Sequence, residues 1–185
     1  MSLVLGFAPF ILFAILMRLS VDLALWISLA VAFTIGIRAF LHTRVLKMLD
    51  GASVAIFGIL ALYKGFIAPA LPGSAVRLIV DASLLAIALA SLFARQPFTL
   101  QYAREEVEPA FWDDPVFIRA NYVIAIVWAL AFLVMALADG AATFDPSMPL
   151  TGAVAAGLAA LIAALAFTWR YPAYVQRRIL AAHEK

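Results

Sequence analysis

The sequence predicts an all-α, polytopic membrane protein of about six transmembrane helices, and three observations predict it. Apolar residues make up 66% of the 185 and charged residues only 13%, with a mean hydropathy of +1.06. A soluble domain averages about 45–50% apolar and about 25% charged. The apolar residues come in runs close to span length that are oily all round, as lipid-embedded helices are. Lys and Arg gather in every second connector, the asymmetry that orients membrane proteins. Residues 1–185 therefore read as one transmembrane domain with the lipid bilayer as its first partner. A formal charge of +2 is too small to point to nucleic acid, and the absence of cysteine excludes disulfides and thiol-ligated metal. The apolar amino end has no basic n-region or small-residue cleavage site, so it reads as a first membrane segment.

Each span follows from its punctuation. Residues 3–17 are apolar but short against the about 20 needed to cross, so this segment is either a little-tilted span with Arg18 snorkelling or a re-entrant one. Residues 21–37 form the second span, with Asp22 just inside it, followed by a basic connector holding Arg38, His42, Arg44 and Lys47 and ended by Asp50-Gly51. Residues 52–68 form the third, interrupted by Lys64 and stopped by Pro69 and Pro72, and 74–94 the fourth, carrying Arg77 and Asp81. The fifth covers 120–138 and the sixth 150–169, leaving a basic tail, 170–185, that reads as a short surface helix. The natural division is three hairpins in series. In the sixth span Gly152, Ala156, Ala160 and Ala164 recur every four residues, which predicts a close-packed internal seam, or alternatively a contact in a homo-oligomer. Arg18-Leu-Ser-Val-Asp22 and Arg77-Leu-Ile-Val-Asp81 form a faint echo, each opening a return helix.

With both termini and the 95–119 connector placed in the cytoplasm, ten of the thirteen Lys and Arg fall inside. That bias predicts this orientation, with residues 139–149 on the opposite, outer side.

The chemistry-bearing residues fall into two sets. The 95–119 connector holds five of the eleven acids, Glu105, Glu106, Glu108, Asp113 and Asp114. Pro109 and Pro115 stand where helices can begin, and Asp114 is a natural N-cap. This predicts a short helix over about 99–107, a turn, and a second short segment carrying Phe111 and Trp112. With its oily side the stretch reads either as a polar loop between spans or as an interfacial platform that meets a partner. The candidate platform residues are Pro97, Gln101, Tyr102, Arg104, Glu105, Glu108, Phe111, Trp112 and Asn121. The second set is Arg18, Asp22, Lys64, Arg77 and Asp81, all at the outer side of the spans. Ionisable groups there either mark function or simply snorkel and pair. Local helix energetics disfavour a base one turn before an acid, so partners on other helices are expected: Asp81 with Arg18 or Lys64, or Asp22 with Arg77. No nucleophile–base pair, metal-ligand spacing or cofactor motif can be assembled, so neither an enzyme nor a bound cofactor or metal is expected.

The run Arg95-Gln96-Pro97, Gln101, the acids, Pro109 and Trp112, continued by Asn121, Trp128 and Phe132, resembles the intracellular septation protein A family of small bacterial inner-membrane proteins. Phe7-Ala-Pro9-Phe10-Ile and the short first hairpin look similar too. The longer 98–105 segment and the Ala-rich sixth span depart from that pattern. What the resemblance implies is a multi-pass protein of the cell envelope or division septum with no established catalytic residues, acting through contacts with other membrane proteins. A small-molecule or ion transporter using the outer charged set, and an accessory subunit of a larger membrane complex, are the alternative expectations.

Overall fold

Proline, polar caps and left-handed turns cut the apolar chain into helices, and no strand occurs among the described residues. The computed structural model describes residues 2–145 and 147–183, with side chains from 3 to 177 apart from 146. Helix α1 covers Ser2–Leu16 and α2 Val21–Thr43, opened by the Ser20 hydroxyl accepting from the Leu23 amide and closed by Arg44 in the left-handed conformation. Helix α3, Met48–Leu62, runs on into a π-helical turn, Tyr63–Ile67, closed by the Ala68 amide on the Tyr63 carbonyl. Helix α4 is Gly73–Phe93 and α5 the short Phe98–Ala103. A 3-10 turn at Pro109–Phe111 leads to α6, Pro115–Phe144, where Asp114 accepts from the Val116 amide at 2.7 Å. Helix α7 covers Leu150–His183.

The end of α4 shows how local chemistry sets direction. The Gln96 amide donates to the Ser91 carbonyl and the Arg95 amide to that of Leu92, with Arg95 at φ 58°. That is the paired 6→1 and 5→2 closure in which a left-handed residue turns the chain out of a helix, a position glycine usually takes. Pro97 then forbids any continuation. The connector leaves α4 sharply and folds back onto the bundle.

Several boundaries differ from the sequence expectation. Helix α2 continues past residue 37 to Thr43, and α3 starts at Met48, not 52. The connector helix is shorter than 99–107, and α6 spans 30 residues where 120–138 was expected. The 170–185 tail is no separate surface helix, since α7 runs unbroken to His183 through Pro172, which removes only one rung of the ladder. Five helices are long and apolar enough to cross a membrane: α2, α3 with its π turn, α4, α6 and α7. Helix α1 is apolar but shorter.

Packing is dominated by α6, held between α4 and α7, and by α2, held between α1 and α3. Consecutive α3 and α4 touch far less than α2 and α3 do. Helix α1 joins the two halves through rings. Phe7 stacks on Trp128 at 4.3 Å and 11°, meets Phe98 edge-on, and touches Phe132, while Phe10 and Phe13 flank Phe57. Such pairs each contribute about 0.5–1.5 kcal/mol beyond buried area. Shape-matched rings matter here because lipid tails are as apolar as leucine, so helices gain little by merely leaving lipid. The α6–α7 seam is also shape-driven. Ala153 and Ala164 are buried, Ala160 packs on the core, and a Cβ at Gly157 would meet Met135 at 3.5 Å. Gly152 is exposed and Ala156 only half-buried, so the buried stripe departs from the expected four-residue series toward Ala153.

Candidate functional site

The connector is folded into one end of the bundle by polar contacts that its sequence supplies in succession. Pro97 to Leu100 are buried, with Phe98 against Phe7. The Thr99 hydroxyl donates to the Asn121 carbonyl at 2.9 Å, and Asn121, itself buried, donates back to Phe117 within α6. Gln101 accepts from the Met48 amide at 2.8 Å and so satisfies one orphan donor at the start of α3. Tyr102 donates to Asp50 at 2.9 Å, and Lys47 bonds Glu105 at 2.7 Å while sitting 4.6 Å from the centre of the Tyr102 ring. Burial, reinforced by the Asp50 carboxylate, pushes the Tyr102 phenol above its ordinary range, so it stays a neutral donor. A Cβ on Gly6 of α1 would lie 2.8 Å from the Tyr102 oxygen, so that turn of α1 approaches the ring only because it lacks a side chain.

Beyond residue 104 the connector turns outward. Glu105, Glu106, Glu108, Asp113 and Asp114 are exposed, as is Phe111. Trp112 is half-buried; its indole N–H donates to the Val107 carbonyl at 3.0 Å and its ring carries the Arg104 guanidinium at 5.4 Å. Of the nine residues proposed as a platform, Pro97, Tyr102 and Asn121 are thus buried in the bundle, Gln101 binds the start of α3, and Glu105, Glu108 and Phe111 face out. Lys47 and Asp50, read in the sequence as connector charges, are buried members of the cluster. The signal for Asp50 was the spacing 50, 53, 57, 60, 64, one continuous face of α3 and its π turn.

Beside this cluster lies a cleft of about 740 Å³ between α1, α2, the start of α3 and α5. Arg38 and His42 of α2 line one wall, Glu105 another, and Asp50 and Tyr102 also contribute to its lining.

The second charged set lies at the opposite end and divides in two. Lys64, buried in the π turn, meets Asp22 at 3.2 Å and donates to the Pro69 carbonyl at 3.1 Å. Arg77 bonds Asp139 at 3.1 Å, and Asp81 lies within hydrogen-bonding reach of the same Asp139 carboxyl. Interhelical partners are present, as local energetics required, but they are not the expected ones: Lys64 takes Asp22, and Arg77 takes Asp139. Arg18 is exposed in the α1–α2 turn without a partner among the described residues. The two Arg-to-Asp echoes are therefore not equivalent, since Arg77 lies inside its helix and Arg18 before one.

Asp139 was expected in an aqueous loop, yet it is 2% exposed on α6. Its signal was the buried spacing 121, 125, 128, 132, continuing at 3.6 per turn past the end of the apolar run. One of its oxygens has no hydrogen-bond donor among the described residues. Buried ion pairs of this kind lock helix ends together, and removing one partner strands the other. Among the described residues no three His, Cys, Asp or Glu side chains are grouped to hold a metal ion. Comparison of the chain with protein-family models, with curated proteins and with solved structures found no match.

Proposed function

We propose that the protein is a six-pass bacterial inner-membrane protein, with termini and connector in the cytoplasm, that works without catalysis through contacts with other membrane proteins in envelope or septum organisation. One observation carries the reading: the connector is anchored by residues 97–102 so firmly that residues 105–114 are held out as a fixed acidic and aromatic surface. A loop that merely joined two spans would have no use for a buried Tyr–Asp bond and a capped helix start. The six-pass count is supported by α1, whose Gly6 lies at Tyr102 and whose Met17 neighbour lies at Gly73, at the two ends of the bundle. The septum assignment rests on the resemblance of residues 95–132 alone.

The test is a photo-crosslinking residue at position 111, with position 126 on the apolar surface of α6 as control, in native membranes. The expected result is a discrete protein adduct at 111 and none at 126. Adducts to lipid alone at both positions would remove the partner-contact reading.

A transporter is the second reading, and the cluster of half-buried Arg77 with buried Asp81 and Asp139 favours it. Purified protein in liposomes would then carry an ion flux that Asp139→Asn abolishes.

A further inference from the structure

The cleft at the connector end shares only Glu105 with the partner surface proposed above, and its chemistry is unusual for the place it occupies. Its α2 wall presents Arg38 and His42, four residues apart and so on one face of the helix. Neither has a hydrogen-bond or ion-pair partner among the described residues. Glu105, beyond the end of α5, also lines the cleft; it uses one carboxylate oxygen to hold Lys47 and leaves the other without a hydrogen bond among the described residues. The rim is oily: Leu5 and Leu41 line it and are both exposed. Helices long enough to cross a membrane end here, so the cleft opens at headgroup depth with apolar side chains reaching back toward the acyl region.

We propose that this cleft binds the headgroup of an aminophospholipid, with the phosphate on Arg38 and His42, the primary ammonium on Glu105, and an acyl chain over Leu5 and Leu41. Charge decides between headgroups. The two bases Arg38 and Lys47 are matched by the two acids Asp50 and Glu105, so the cleft is not the strongly basic site a purely anionic lipid would favour. Separate cationic and acidic walls match a zwitterion instead. A quaternary ammonium has no N–H to give the free Glu105 oxygen, so a choline headgroup fills the same space with a weaker bond. The oily rim distinguishes a lipid from a small soluble phosphate ester, which gains nothing from Leu5 and Leu41. The inference rests only on the helices crossing a membrane, and survives or fails independently of any protein partner at residue 111.

The experiment is native mass spectrometry of the full chain in detergent, titrated separately with phosphatidylethanolamine, phosphatidylglycerol and phosphatidylcholine of identical acyl chains. Phosphatidylethanolamine is expected to bind about tenfold more tightly than the other two, the scale of one charge-assisted hydrogen bond. The double variant Arg38→Gln, His42→Gln is expected to weaken all three lipids about equally, since each carries the phosphate; both side chains are exposed and without a partner among the described residues, so the fold does not depend on them. Glu105→Gln is expected to bring phosphatidylethanolamine down to the choline lipid with no loss of phosphatidylglycerol binding, since the variant removes a negative charge from the cleft. Equal binding of the three lipids by the native chain, a preference for phosphatidylglycerol, a preference that persists in Glu105→Gln, or undiminished lipid binding by the double variant overturns the proposal. So does displacement of the lipid by soluble O-phosphoethanolamine at the concentrations of lipid used, which would make the site one for a free phosphate ester.

Discussion

Replacing Gly6 by alanine reverses the usual sign of a helix substitution. In a helix interior, Gly→Ala ordinarily stabilises by about 0.5–1 kcal/mol. At Gly6 the new methyl would lie 2.8 Å from the Tyr102 oxygen and 3.0 Å from the carbon bearing it, closer than real side chains approach. The ring has little room to yield, because it is 2% exposed and its hydroxyl is committed to Asp50 at 2.9 Å. Overpacking of this kind costs about 1–3 kcal/mol, and losing a bond to a carboxylate adds about 1.5–3 kcal/mol if the ring is displaced. Gly6→Ala should therefore destabilise by about 2–4 kcal/mol net of its helix-propensity gain. Gly58→Ala, whose Cβ would meet only Leu29 at an ordinary 3.6 Å, should be neutral or stabilising. Tyr102→Phe removes the atom nearest the new methyl, so the double variant should lose at least about 1 kcal/mol less than the sum of the singles. Reversible unfolding in mixed micelles, followed by circular dichroism, measures all four proteins. A neutral Gly6→Ala, or strict additivity with Tyr102→Phe, would falsify the claim that α1 is registered against the connector through this ring.

Four further outcomes are expected. Asp139→Asn should cost up to about 3–5 kcal/mol by stranding Arg77, and Asp81→Asn less, because the Arg77–Asp139 bond survives it; equal losses in micelle unfolding would contradict the pairing. Arg95→Gly should raise the melting temperature, since a non-glycine residue at φ 58° costs about 1–2 kcal/mol; a lowered midpoint would mean the arginine side chain contributes more than its backbone loses. Trp112→Ser should speed proteolysis of the connector by releasing Val107 and Arg104, while Phe111→Ser should not, as gel-resolved cleavage rates would show. Single cysteines at Glu108 and Ser147, both exposed in a chain without native cysteine, should label from opposite faces of the membrane, and labelling of both from one face would sink the proposed orientation.

The long helices were legible because a membrane demands long apolar runs, and Pro, Asp114 and Ser20 mark where several begin. Which side of each helix faces inward was not. In a soluble protein the polar face gives that away, but here the lipid and the core are equally apolar. Phe7, Phe10 and Phe13 look no different from exposed Phe33 or Phe93 in the sequence, yet they form the centre. Asp50 and Asp139 could have been found, since each continues a buried helical spacing beyond the end of its apolar run. Reading the end of hydrophobicity as the end of the helix hid them. The identity of the partners of Lys64 and Arg77 depended on which helices are neighbours, and no local pattern carries that.

The stack of Phe7 on Trp128 joins two residues made far apart in time. Ribosomes add roughly 5–20 residues each second, so on the order of ten seconds separate the emergence of the two rings. Through that interval the inward face of α1 has neither Trp128 nor Phe132 to pack on, and lipid or the insertion machinery must stand in for them. The short α1 is thus made well before the rings that lock it. Assembly of the bundle is gated by its sixth helix, and a chain arrested before residue 128 would leave a ring-lined groove open in the bilayer.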